Sequence, residues 1–262
     1  MAGDVASEQA ENKKTRVILV GVGGASCSGK TTLAKHLKRI LPNSVIIHQD
    51  DFAPQQGSLP IHPIYQVEDW DSAAGAIEWP RLASVLKEVK RSGKIPPDYQ
   101  SHDHLNEQRD VSVSDETFSK WKKVFENVQN QKEAEGEEVV WGLVDGFLLY
   151  WDQDVIDQFD IRFMLRVPRD LLKSRREERS GYFTAESLVT LEGTLWKDPP
   201  FYWDGIAYPA YVDAHQHIFE NGDVEKGKLK GTVDKLILLE GAQMSMSEIV
   251  ERCLEELLAY GV

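Results

Sequence analysis

The sequence is short of cysteine and of long apolar runs, and it carries no excess of positive charge. Its 262 residues include two cysteines, Cys27 and Cys253, too few for a disulfide framework or a four-ligand zinc site. A reducing compartment suits such a chain, and a cytoplasmic location is the expectation. No apolar run approaches the ~20 residues that a membrane-spanning helix needs, which argues against a membrane protein. Residues 1–16 are polar and mixed in charge, without the apolar middle of a signal peptide, and residues 1–15 read as a disordered tail. Basic residues number 30 against 43 acidic ones, a net charge of −13 with neutral histidines. A surface of that sign repels phosphate backbones and argues against a nucleic-acid partner. A small phosphorylated ligand in a local positive cradle remains allowed.

What is present is an ordinary globular composition, 41% hydrophobic and 28% charged, with enough chain to bury a sizeable core. Residues 17–22 (VILVGV) form a short apolar, β-branched run with glycines directly after it, the pattern of a strand buried on both faces. Residues 31–41 predict a helix, and residues 44–48 (SVIIH) a second strand. That order implies a right-handed crossover between parallel strands. Residues 80–92 predict a helix broken by Gly93. Residues 114–138 form a charged amphipathic stretch with Phe118, Trp121, Val124, Phe125 and Val128 as its apolar stripe, a stripe that fits core packing better than a ligand box. Strands follow at 139–144 (VVWGLV) and 161–167 (IRFMLRV), then a basic helix at 169–179, a last strand at 232–239 and a closing helix at 246–260. Alternating strands and helices predict an α/β three-layer sandwich with a mostly parallel sheet and helices on both faces.

The stretch Gly24-Ala25-Ser26-Cys27-Ser28-Gly29-Lys30-Thr31 matches the P-loop pattern G-x-x-x-x-G-K-[ST], with a predicted strand before it and a helix after it. Its glycines let backbone N–H groups turn inward toward phosphate oxygens, and the helix start adds its positive dipole end. Lys30 would reach the β- and γ-phosphates, Thr31 would ligate Mg²⁺, and Thr32 continues the cradle. Cys27 reads as a small filler, since only thiolate character would make it reactive.

Two acids stand where such a cradle needs them. Asp50 follows the second predicted strand, at the carboxyl edge where open α/β sheets bind ligands, and could act as base toward a hydroxyl nucleophile. Its neighbour Asp51 is expected to point elsewhere, and a capping role is the plain alternative for Asp50. Asp145 ends the run VVWGLV, as a metal-holding acid beside a P-loop does, with a turn-forming Asp-Gly pair as the alternative. Arg175, Arg176 and Arg179 offer forks for phosphate oxygens, although a solvated helix face accounts for such a run equally simply. Beyond them, residues 181–205 hold prolines, glycines and aromatics, as a closing loop does.

Together the stretches GASCSGKTTLAKHL, LPNSVIIHQDDF, VDGFLLY, KDPPFYWDG and YPAY resemble the uridine kinase-like branch of the P-loop kinases, and within it the nicotinamide riboside kinases. They spread from residue 24 to about 211, and HQDDF with DGFLLY is far more specific than the P-loop. The resemblance implies a single P-loop kinase domain over 16–262, with a helical insertion near 112–138 and a lid near 175–205. It implies ATP and Mg²⁺, with a small nucleoside as the other partner; a monomer is the expectation. Asp50 would be the base for the ribose 5′-hydroxyl, close to Mg²⁺, and Asp71 would bind the 2′- and 3′-hydroxyls. Trp70 and Tyr182 would sandwich the pyridine ring, a contact suited to a cation. Arg176 would hold the ribose, Arg175 and Arg179 would face ATP phosphates, Asp145 would take the metal side and Asp198 the lid or substrate mouth.

The sequence departs from the family pattern in three ways. Asp145 stands where Glu is usual, Trp70 replaces a usual Tyr, and the stretches 71–145 and 182–197 are longer than in short members. A uridine or cytidine kinase, or another small-alcohol kinase of the branch, shares the cradle and differs in the ring pocket. A nucleotide-binding switch is the alternative from another class, but the guanine-reading N-K-x-D segment is absent. Two histidine pairs, His102/His104 and His215/His217, have the spacing of one strand face, with no acid or cysteine cluster to complete a zinc site.

Overall fold

In the computed structural model, residues 14–106, 108–179, 181–183 and 195–261 are described. The predicted tail therefore lies outside the described residues up to position 13, and its last two residues are not a tail. Lys14 and Thr15 open strand β1 (Lys14–Gly24), paired in parallel with β3 (Glu137–Gly146) from Lys14↔Glu137 onward. Pairing begins before the apolar run because a neighbouring strand, not local hydrophobicity, satisfies the backbone there.

The other strands are β2 (Ser44–His48), β4 (Ile161–Arg166), the short antiparallel pair β5 (Tyr182–Phe183) and β6 (Leu195–Trp196), and β7 (Leu236–Glu240). The main sheet runs β2-β3-β1-β4-β7, and every pairing in it is parallel. The last strand is shorter than the predicted 232–239 because Lys235 takes a left-handed φ of 52°, which extended backbone cannot accommodate.

Helices α1 (Lys30–Ile40), α3 (Asp115–Ala134) and α7 (Met246–Ala259) cover one face. Their buried Leu33, Leu37, Trp121, Phe125, Ile249 and Leu254 pack with Ile18, Val20 and Val22 of β1. On the other face Leu19 meets α2 (Trp79–Ser92), α4 (Gln153–Ile156) and α6 (Tyr208–His215). Helix α5 (Arg169–Glu177) follows β4. The one-residue alternation along β1 thus feeds two cores, one per face, as period-two side-chain geometry requires.

The amphipathic stretch forms a core helix. Ser114 caps α3 by accepting from the Thr117 N–H, and the stripe residues Trp121 and Phe125 are buried. Pairing of Lys120 with Glu251 joins α3 to α7 on the outside.

Candidate active site

All five parallel strands end at one edge, and the P-loop leaves the central one. Gly24 has φ 148°, and a Cβ there would stand 2.6 Å from the Leu165 carbonyl oxygen, so the chain can turn only with glycine. Gly29 precedes α1 at φ 99°, again a conformation that a side chain disfavours. Between them Cys27 takes φ 66°, and the Ser28 hydroxyl is buried without a hydrogen-bond partner. Lys30 opens α1 and is buried, its charge directed among Asp50 and Asp145.

Asp145 ends β3 beside the P-loop and accepts a hydrogen bond from the Thr31 hydroxyl on one carboxylate oxygen. Its other oxygen lies 2.5 Å from His48 Nδ1. His48 and Asp145 are register partners on neighbouring strands. Burial works against the Asp145 charge, but the His48 contact and the charges of His48 and Lys30 outweigh it and hold the carboxyl below its ordinary range. Burial likewise disfavours charge on His48, yet the Asp145 bond and the charges of Asp145, Asp103 and Asp51 raise its pKa to about 9. At neutral pH the pair is an imidazolium and a carboxylate.

Asp50 sits in a single 3-10 turn (Gln49–Phe52) after β2 and is solvent-exposed at the cleft. Surrounding protein pushes its pKa upward, opposed by Lys30 and reinforced by Asp145 and Asp51; its access to water tempers that push. Asp51 points away, as expected, accepting from Tyr99 Oη at 2.6 Å and from the His102 N–H at 2.8 Å. The oxygen donors Thr31, Asp145 and Asp50 fit a magnesium ion, a hard cation that prefers such ligands, and the Thr31–Asp145 contact already brings two of them together.

Opposite this phosphate side, Asp71 and Arg176 are both buried and lie 3.8 Å apart. Arg176 is gripped by Asp198, at 2.5 Å through Nε and 3.2 Å through Nη2. Its guanidinium lies over the rings of Tyr182, Tyr202 and Trp203 at 5.0, 5.7 and 5.7 Å. Burial raises the Asp71 pKa, Arg176 lowers it, and Asp198 raises it again. Tyr202 Oη accepts from the Trp70 N–H at 3.0 Å, tying the 70–71 segment to the segment after Asp198.

The two aromatic residues expected at the ring pocket each have neighbours of their own. Trp70 packs against Trp196, with ring centroids 5.9 Å apart. Tyr182 lies by Arg176 and Arg179, with its hydroxyl 3.2 Å from Cys27 Sγ. Tyr182 and Trp196 are partners across the β5–β6 ladder, which sets Trp196, a residue the sequence reading left unassigned, beside Trp70. The signal was available in the LW pair just before KDPP. His48 and Tyr202 were given no role either, although both lie inside quoted stretches, HQDDF and KDPPFYWDG, because their partners Asp145 and Trp70 are distant in sequence.

The remaining predicted residues separate by side. Arg175 donates to the Cys27 carbonyl at 3.1 Å and so abuts the P-loop, while Arg179 stacks on Tyr182. An open cleft of about 200 Å³ is lined by Arg176, Arg179, Tyr182, Lys197, Asp198 and Trp203. The predicted lid is described at 175–179, 181–183 and 195–205; residues 180 and 184–194 lie outside the described residues. The histidine pairs have other partners: His102 contacts Asp51, and His215 Nδ1 lies 2.8 Å from the Tyr211 carbonyl. Among the described residues no helix is long and apolar enough to cross a membrane.

No family model matches the chain. Individual proteins do. The chain is 34% identical over 244 residues to a nicotinamide riboside kinase of Schizosaccharomyces pombe, covering 93% of this chain and 97% of that one. It is 31% identical over 254 residues to a nicotinamide riboside kinase of Eremothecium gossypii, covering 97% and 98%. Nicotinamide riboside kinase 2 of Homo sapiens is 30% identical over 205 residues, covering 78% of this chain and 70% of its own. With relatives of that identity aligned over most of their length, and a P-loop on the same chain as a buried Asp71–Arg176 pair held by Asp198, the chain belongs to the nicotinamide riboside kinase family.

Proposed function

We infer that the protein is an ATP-dependent kinase that phosphorylates the ribose 5′-hydroxyl of nicotinamide riboside, giving the mononucleotide for NAD biosynthesis, with nicotinic acid riboside as a second substrate. The observation that carries this reading is the meeting of two sites: Tyr182 of the riboside side touches Cys27 of the P-loop at 3.2 Å. A riboside held by Asp71 and Arg176 would present its 5′ end toward that junction.

In the reaction the 5′-oxygen attacks the γ-phosphorus in line, the bond to the β-bridging oxygen breaks, and the hydroxyl proton passes to the Asp50 carboxylate. Such transfer relies on positioning and charge neutralisation more than on covalent catalysis. Lys30 would neutralise β- and γ-phosphate oxygens, with Arg175 anchored on the loop backbone beside it and Arg179 across from it on Tyr182. Thr31, Asp145 and Asp50 would hold magnesium, which when bound neutralises phosphate charge and orients the β- and γ-oxygens. Asp71 accepts hydrogen bonds from the vicinal hydroxyls, and Arg176, kept rigid by Asp198, donates to them. The Trp70–Trp196 pair offers ring faces to a pyridinium, whose positive charge favours stacking on them, while Tyr182 is already covered by Arg176 and Arg179. The nearby carboxylates of Asp71 and Asp198 add a field of the right sign.

The test is product formation with ATP and Mg²⁺, offering nicotinamide riboside, uridine and cytidine separately. Strong preference for nicotinamide riboside is expected. Preference for uridine or cytidine would keep the kinase and overturn the substrate.

A further inference from the structure

The terminal carboxylate torsion of an aspartate such as Asp145 is soft. Something must fix its direction. The Thr31 hydroxyl holds one oxygen and His48 Nδ1, at 2.5 Å, holds the other. His48 is itself pinned. Its backbone N–H donates to Tyr99 Oη at 3.0 Å, and its Nε2 faces Asp103 at 3.9 Å. Asp103 in turn pairs with Lys35 at 2.6 Å and accepts from Gln108 at 2.7 Å, while Lys35 also donates to Gln108 at 2.7 Å. Thr31 and Lys35 are four residues apart on α1, hence on one face of it. The side chains therefore close a ring: Thr31, Asp145, His48, Asp103, Lys35 and back to α1.

We propose that His48 is a positioning residue for the Asp145 carboxylate, clamped from outside by Asp103, and that this ring aims Asp145 at the magnesium of the bound nucleotide. The proposal rests on the reading of Asp145 as the metal-side acid. A histidine satisfied by the nearest acid for packing alone would need no partner on its second nitrogen and no return to the helix that carries Thr31. Partners that orient a metal-binding carboxylate change metal affinity by about 10–100-fold when removed.

The experiment measures ADP affinity by calorimetry with and without Mg²⁺, beside the Mg²⁺ concentration for half-maximal activity. His48→Ala is expected to reduce the magnesium-dependent gain in ADP affinity about tenfold or more, with metal-free ADP binding and riboside KM unchanged. His48→Asn, whose side-chain amide can occupy the Nδ1 position, restores the gain, and His48→Gln does not. Asp145→Ala is the control for the underlying reading. If Asp145→Ala loses the gain while His48→Ala keeps it, the positioning role is wrong and the metal site stands; if Asp145→Ala keeps it, both fall. If His48→Asn loses as much as His48→Gln, the histidine is only a packing residue. Should His48→Ala fail to fold, the Asn and Gln pair decides the question by the same criterion.

Discussion

The P-loop takes its eight residues from one unbroken stretch between β1 and α1, whereas the riboside side takes Trp70, Asp71, Arg176, Trp196, Asp198 and Tyr202 from three separated stretches. Regular structure fixes the first: a parallel strand, a forced turn at Gly24 and a helix start at Gly29. Long-range contacts between irregular segments hold the second, such as the bond from the Trp70 N–H to Tyr202, 132 residues away. Such segments tolerate insertion and change better than strands and helices do. A common phosphate cradle beside a variable recognition wall follows from that difference, and the two halves should fail separately when broken.

The largest effect is expected on the phosphate side. Asp50→Ala should lower kcat about a thousandfold, the scale of a lost general base, while KM for ATP rises far less, because Thr31 and Asp145 would still hold the magnesium. Steady-state kinetics with each substrate varied checks the split, and a matching loss in ATP binding would contradict it. On the riboside side, Asp71→Asn should lower kcat/KM for the riboside about fiftyfold, a charged hydrogen bond's worth. Because burial raises the Asp71 pKa, its charge opposes folding at neutral pH, so the melting temperature should hold or rise. A melting temperature that falls sharply would show that the Arg176 contact, not burial, governs that carboxylate.

A third outcome sharpens the boundary between the halves. The His48 pKa is raised from 6.5 to about 9, so its stabilising contribution is complete below pH 6.5 and is lost as pH rises through about 9. Unfolding free energy of the magnesium-free protein should therefore fall by roughly 3 kcal/mol between pH 7 and 10 relative to His48→Asn. Denaturant titrations at a series of pH values measure it; parallel curves for the two proteins would contradict it. Smaller still, Trp196→Ala should raise riboside KM about fivefold, the scale of one aromatic contact with a cation, with ATP kinetics unchanged.

The same contrast decides what could be read in advance. The parallel sheet, the P-loop and the placement of Asp50 and Asp145 at strand ends were legible because each is encoded by neighbours along the chain. Strand β2 fell at residues 44–48 as expected, and α3 buried the aromatic stripe that its periodicity showed. Trp196 and Tyr202 were not assigned, since only the β5–β6 pairing and the fold-back onto Trp70 bring them to the site. His48 was seen as a strand residue. Its partner Asp145 sits 97 residues on and becomes a neighbour only through the β2–β3 register. The last strand was drawn too long because nothing in its composition announces the left-handed turn at Lys235.

The central claim, a generic cradle joined to a wall that selects a cationic ring, is tested most directly by Trp70→Ala. The measurement is kcat/KM for nicotinamide riboside and for uridine, with KM for ATP alongside. The ratio favouring nicotinamide riboside should fall about tenfold, of the order of a desolvated cation–π contact, while KM for ATP stays as it was. An unchanged ratio, or one that moves only together with ATP affinity, would contradict it.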